Sequence, residues 1–435
     1  MCIVFGIVYA VLILFLVYKN SKAFYNPVFW MSMAAVFVIG MYYTSGYIYT
    51  YPLRISGLLY YLGVVGCFSL GFFLSKKWKL TSKAEVDNVF YQNMNKSIYF
   101  LISLVGAVVF VIDFFVHNSL SATDLHTNAV HSTVGILGKI CLLFGIVVWL
   151  GEVASAIQND KKISFMGYCS AAIYFIPAVL TSGRQSFIIF IIATIAMVFY
   201  SLNMKKNYRY LKHYLLIGMA AVGFMVAFCV YVAANREVVA NKANLFENMF
   251  HCVIPENTQK VFMGMGAIGM FFCEIVSYYS HELPMFQVFL DGWNSYPMLG
   301  ASQFQLISTN IDQASKYSFT TMWEKLDLLS EQAGVYSHVW RTISANCIID
   351  YGIVGGLVFM VVLGILAGRV YAKVIENNSM KHQVMLAMIN SGAFFSMQFS
   401  PLAEGYWYFP MLWLLFAIPV MNYVIKVIIK GVLKK

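Results

Sequence analysis

The chain has 435 residues and a formal net charge of +10, with 60% hydrophobic and only 11% charged residues. Its mean hydropathy of +0.72 excludes a soluble globular domain, which carries about 45–50% apolar and about 25% charged residues. The basic excess falls in gaps between apolar runs, so it reads as a membrane-orientation signal and not as a nucleic-acid surface.

In chain order, the apolar runs cover 2–18, 27–47, 58–75, 97–117, 133–157, 165–182, 187–203, 214–234, 346–368, 383–400 and 406–425. A bilayer core of about 30 Å takes roughly 20 apolar residues per helix. Backbone polar groups in lipid must bond within the helix. The expected fold is all-α: a polytopic transmembrane bundle of about eleven spans. Alternate gaps are basic: Lys19 and Lys22, then Lys76 to Lys96, then Lys161 and Lys162, then Lys205 to Lys212, then Arg369 to Lys381, then the tail from Lys426. The positive-inside rule places these in the cytoplasm. The first run lacks a basic leader and a small-residue cleavage site, so it reads as a retained helix with an external N-terminus.

Three parts are expected: an N-terminal bundle over 1–234, a large external loop over 235–345 that carries short helices, and a C-terminal group of spans over 346–435. Loops that long are usually functional. Its middle, 261–279, is apolar, and Gly264, Gly266 and Gly269 match GxGxxG. Without a preceding strand or a βαβ unit this is no dinucleotide fingerprint; a helix or re-entrant hairpin packed on the bundle is expected. Cys252 and Cys273 share the loop, either as a disulfide or as two free thiols. Aromatics such as Phe286, Phe289, Trp293, Trp323 and Trp340 accompany the carboxylates Glu282, Asp291, Asp327 and Glu331. That mixture suits sugar rings, and it also suits an interfacial aromatic belt.

Ionisable groups at membrane depth are costly and draw attention. Asp113, Lys139 and Glu152 read as structural pairs, Asp113 with Lys139 across neighbouring helices. Arg184, Arg236 and Arg341 stand at helix ends on the external face. A guanidinium matches phosphate oxygens in pairs and stays charged at any working pH. Together the three suit a lipid-linked diphosphate. Glu331, His338 and Arg341 are spaced for one helical face. His338 is the first candidate general base, since its ordinary pKa lies near neutrality. Glu404 and Asp291 follow it, with Asp350 in reserve. No external DxD and no His/Asp cluster stands in the sequence, so neither metal nor cofactor is expected.

Arg341 is followed after ten residues by Gly352, and Asp350-Tyr351-Gly352-Ile353-Val354-Gly355-Gly356 opens a late helix. This R-x10-G spacing and D-Y-G-x-x-G run resemble those of Wzy-type O-antigen polymerases, the oligosaccharide repeat-unit polymerase family. Thr181-Ser182-Gly183-Arg184 is similar to that family's small-residue-then-Arg turn. The motifs cover about 20 residues, and the topology agrees along the whole chain. No R-x10-G begins at Arg184 or Arg236, because position 195 is Ile and position 247 is Glu. A symmetric role for two such loops is therefore not carried over. The resemblance implies a GT-C-like glycosyltransferase of the bacterial inner membrane, active on its periplasmic side. Its substrate would be an undecaprenyl-diphosphate-linked oligosaccharide, and its partners the membrane lipids and a chain-length regulator protein. Arg184, Arg236 and Arg341 would hold the diphosphate, and Gly352, Gly355, Gly356, Gly364 and Gly368 would let helices approach closely. The alternative expectation is a flippase or transporter for a lipid-linked oligosaccharide, for which an internal repeat would be anticipated; none is visible between the halves.

Overall fold

A computed structural model describes residues 23–75, 94–117, 132–180, 185–205, 208–216, 250–292, 297–304, 341–377 and 379–421, with isolated positions between and after them. It is 83% helical with almost no sheet. The helices are α1 (Pro27–Thr44), α2 (Ile55–Ser75), α3 (Met94–His117), α4 (Thr133–Leu142), α5 (Phe144–Gln158), α6 (Phe165–Leu180) and α7 (Gln185–Met204). They continue as α8 (Glu256–Gly264), α9 (Gly266–Gly292), α10 (Ile343–Asn377), α11 (Met380–Phe395) and α12 (Gly405–Leu412). Two short strands, β1 (Ile48–Tyr49) and β2 (Cys252–Val253), pair antiparallel with Tyr49 opposite Cys252.

Among the described residues, six stretches are long and apolar enough to cross a membrane: Pro27–Thr44, Ile55–Ser75, Lys96–His117, Thr133–Gln158, Gln185–Met204 and Ile343–Glu376. Phe165–Leu180 and Gly405–Met421 are shorter apolar helices. The chain is therefore an all-α, membrane-embedded protein. The exposure pattern agrees. One face of α3 shows Leu101, Val105, Val108, Ile112 and Phe115 outward, while Glu282, Gln287, Gln303 and Asp350 are buried. That inversion suits lipid as the solvent.

The runs at 2–18 and most of 214–234 lie outside the described residues. The run at 133–157 is one candidate span, Thr133–Gln158, with α4 and α5 meeting end to end at Leu143, whose backbone stays in the right-handed helical region. The run at 383–400 ends as helix at Phe395 and continues as a turn. Apolar content alone carries no signal for such breaks.

The chain forms two compact units. The first takes the described residues within Met1–Trp78, Met219–Arg369 and Gly392–Glu404; the second takes those within Lys79–Gly218, Val370–Ser391 and Gly405–Lys435.

In the second unit α5 is buried around nearly its whole circumference, from Phe144 to Ile157. Glu152 is neutralised there by Lys96 Nζ at 2.6 Å and accepts the Ser164 hydroxyl at 2.6 Å. Asp113 accepts from the N–H of the α4 cap Ser132 and pairs with His117 at 3.2 Å. The Lys139 ammonium lies 5.0 Å from the Tyr406 ring centre. These contacts give Glu152, Asp113 and Lys139 structural employment.

In the first unit α2 and α10 touch backbone to backbone. A Cβ on Gly364 would come within 2.1 Å of the Phe68 carbonyl oxygen, and one on Gly71 within 2.0 Å of the Val361 oxygen. Small residues are what such contact requires. Helix α9 packs on α1, with Phe37 and Tyr279 rings 4.9 Å apart. The β1–β2 clip anchors α9 laterally: Tyr47 and Tyr49 hydroxyls meet Ser277 and Ser280 at 3.1 and 2.5 Å. The glycine run is a corner between α8 and α9. Gly266 has φ 59°, and a Cβ on Gly269 would strike the Phe262 carbonyl at 1.9 Å. Cys252 and Cys273 are buried in the same cluster and share no disulfide.

Candidate functional site

The site grows from a break in α10. Gly352 has φ 71° and ψ −178° inside that helix, a conformation open to glycine and costly for other residues. The break leaves the carbonyls just before it without their partners in the helical ladder. A returning turn supplies new ones. The N–H groups of Met298 and Leu299 donate to the Ile349 and Asp350 carbonyls at 3.1 and 3.0 Å. The Asp350 carboxylate completes the join, accepting from Ser302 N–H at 2.9 Å and Gln303 N–H at 3.0 Å. Asp350 is fully buried. Its reserve role as a base is overtaken by this anchoring role, since both oxygens are engaged. The Tyr351 ring lies 4.7 Å from Phe359, and its hydroxyl stands beside Gly300.

At the start of α10, Thr342 Oγ1 accepts the Ala345 N–H at 3.1 Å, a side-chain cap. Arg341 precedes this cap. Its carbonyl accepts the Ser400 N–H at 2.9 Å. Its side chain is 12% exposed, with Nη2 3.8 Å from Asp327 Oδ1. The guanidinium carbon lies 5.9 Å from the Phe289 ring centre, within cation–π range. Burial draws the Arg341 pKa down to about 10, while Asp327 and Asp350 push it back up. It remains a cation at neutral pH, in a partly desolvated place where fixed charge acts strongly.

Asp291 belongs to a second constellation. Its Oδ2 accepts the Tyr51 hydroxyl at 2.7 Å and faces Arg54 Nη1 at 3.2 Å; its Oδ1 accepts Gln287 Nε2 at 3.0 Å. Gln287 in turn accepts the Arg54 N–H at 3.0 Å. Gly57 leaves room for that amide, since a Cβ there would come within 2.0 Å of Gln287 Oε1. Burial, followed by the hydrogen bond to Asp291, raises the Tyr51 pKa. Phe289 and Asp291 are two residues apart on α9, about 200° around its axis. Arg341 and Arg54 therefore address opposite sides of the same helical turn.

Glu404 ends the turn that follows α11, its N–H bonded to the Pro401 carbonyl at 3.2 Å. It lies four residues beyond Ser400, which holds Arg341. Arg184, Arg236 and His338 lie outside the described residues. The structure thus brings together Arg341, Asp350 and the Ser400 turn leading to Glu404, and it sets Asp291 apart with Arg54.

Arg54, Gln303 and Ser400 stand in no motif of the sequence, and Glu282 is one of several carboxylates in the 235–345 segment. Glu282 is fully buried, and neither of its oxygens has a hydrogen-bond partner among the described residues. Burial pushes its pKa well above the usual carboxylate range. The spacing of Glu282, Phe286 and Phe289 puts it on the Arg341 side of α9. That spacing was the available signal. Among the described residues no three His, Cys, Asp or Glu side chains gather as a metal-binding group.

The chain matches no protein-family model, no curated protein and no solved structure.

Proposed function

We propose that this protein is a polysaccharide polymerase of the O-antigen type. It would transfer a growing glycan from undecaprenyl diphosphate to the non-reducing end of a new lipid-linked repeat unit. The observation that carries the reading is Arg341, a guanidinium 12% exposed over the Phe289 ring, at the capped start of α10. The N-terminus of a helix adds partial positive charge at the same point. The R-x10-G and D-Y-G-x-x-G resemblance supports the same assignment.

In this reading the anomeric C–O bond to the diphosphate breaks and its electron pair goes to the diphosphate oxygens. The acceptor hydroxyl oxygen bonds to the anomeric carbon and gives up its proton. Arg341, with Arg184 and Arg236, stabilises the charge gathering on the leaving group. Guanidinium groups supply that stabilisation without a metal. His338 takes the proton, with Glu404 next in line. Asp291 is the weaker candidate, since both of its oxygens are already engaged, by Tyr51, Arg54 and Gln287. The proposed setting is the bacterial inner membrane, with about eleven spans, the 235–345 segment on the periplasmic side, and a chain-length regulator as partner.

The test is reconstitution. Purified protein in liposomes, given one lipid-linked repeat unit and no nucleotide sugar, should build a ladder of lengths. A single unextended band under all conditions would refute the reading. A flippase or transporter is the second reading, favoured by Glu282, because an unpartnered buried carboxyl suits a transport path. It predicts movement of the repeat unit between leaflets without a ladder.

A further inference from the structure

The polar chain behind Arg341 has no part in the reading above. Gln303 is fully buried and sits in the turn that Asp350 anchors through its N–H at 3.0 Å. Its amide oxygen accepts the Ser400 hydroxyl, and its amide nitrogen is directed at Cys347 Sγ, 3.8 Å away. Ser400, also buried, donates its own N–H to the Arg341 carbonyl at 2.9 Å. The next turn of the same segment repeats the tie, with Ile343 N–H donating to the Ser396 carbonyl at 2.9 Å. So the break at Gly352, the turn at 300–303 and the turn at 396–400 are linked in series to one arginine. Each link lies away from water, where a lost partner is expensive.

We infer that Gln303 and Ser400 are positioning residues for Arg341: their buried side-chain hydrogen bond fixes the Arg341 backbone, and hence the guanidinium over Phe289, for two-point recognition of a diphosphate. A single phosphate needs one well-placed N–H pair and tolerates a shifted arginine. A diphosphate spans more of the fork and does not. The inference rests on the diphosphate-binding reading of Arg341, and its test separates the two.

The full-length protein in nanodiscs is titrated with undecaprenyl diphosphate and, separately, with undecaprenyl monophosphate. Ser400→Ala and Gln303→Leu should each weaken the diphosphate about three- to tenfold, the worth of one buried hydrogen bond, and change the monophosphate little. Ser400→Thr keeps the hydroxyl and Gln303→Glu keeps the acceptor, so both should recover most of the diphosphate affinity. Equal losses for both lipids, or loss of affinity only in step with a lowered melting temperature, would overturn the positioning role. So would wild-type diphosphate affinity in Ser400→Ala while Arg341→Ala loses it. Wild-type affinity in Arg341→Ala would instead remove the diphosphate reading itself. Should Gln303→Leu fail to fold, the Ser400→Ala and Ser400→Thr pair decides the question alone.

Discussion

The Arg341 guanidinium carbon stands 5.9 Å from the centre of the Phe289 ring, within cation–π range. Asp327 is 3.8 Å away and 32% exposed, a loose partner of the kind that contributes about 0–1 kcal/mol. The aromatic face acts on a desolvated cation and contributes about 0.5–2 kcal/mol.

Arg341→Lys should therefore abolish polymer formation although charge is kept, because an ammonium lacks the planar fork and the stacking face. Phe289→Leu should lower the rate about three- to thirtyfold and Asp327→Asn by no more than about fivefold. Ladder assays with matched protein levels in membranes measure all three. A rate in Arg341→Lys equal to wild type would remove the guanidinium from the mechanism.

Alkaline titration reads the same group. Burial holds the Arg341 pKa near 10 against an ordinary 12.5. Diphosphate binding should then weaken as pH rises through about 10, and Arg341→Ala should show no such step. The linkage sign is opposite to that of a stabilising ion pair. Between pH 10 and 12.5 the unfolded chain holds the extra proton, so this residue's contribution to stability improves with pH there. Loss of binding without loss of fold in that window is the expected signature.

Glycines separate packing from backbone strain. Gly352→Ala meets no atom within 4 Å, so its cost is conformational alone, about 1–3 kcal/mol. Gly364→Ala keeps helical backbone but collides with the Phe68 carbonyl, so α2 and α10 must part. Gly66→Ala meets nothing within 4 Å, sits in a regular helix and should be neutral or mildly stabilising. Thermal unfolding in detergent should rank Gly66→Ala above wild type or equal to it, with both others below.

Much of the helical layout was legible because apolar runs bounded by Lys carry it directly. The glycine spacing of α10 was readable for the same local reason. What escaped has a common cause. Gln303 meets Ser400 across nearly a hundred residues of chain. Asp291 and Arg341 looked alike as loop residues, yet their separation depends on which side of α9 each addresses, and that is fixed only once α9 is known to run unbroken through Gly292. Arg54 stands in the sequence with no motif around it. Its role came from Gln287 and Asp291, more than two hundred residues away.

Thiol chemistry checks the lateral anchor of α9. Cys252, in β2, and Cys273, on α9, are buried in one cluster and share no disulfide, and burial pushes the Cys252 pKa up to about 12. The thiolate is the reactive form, so both should resist a membrane-impermeant maleimide in the native protein and react after denaturation. Tyr47→Phe removes the hydroxyl that meets Ser277 at 3.1 Å and Cys273 Sγ at 3.8 Å. It should loosen the clip by about 1 kcal/mol and speed Cys273 labelling several-fold before any global unfolding. Mass spectrometry of labelled peptides gives the rates. A disulfide-linked peptide joining Cys252 to Cys273 would show that the clip is locked covalently, and immediate labelling of both in the native state would show that it does not close over α9 at all.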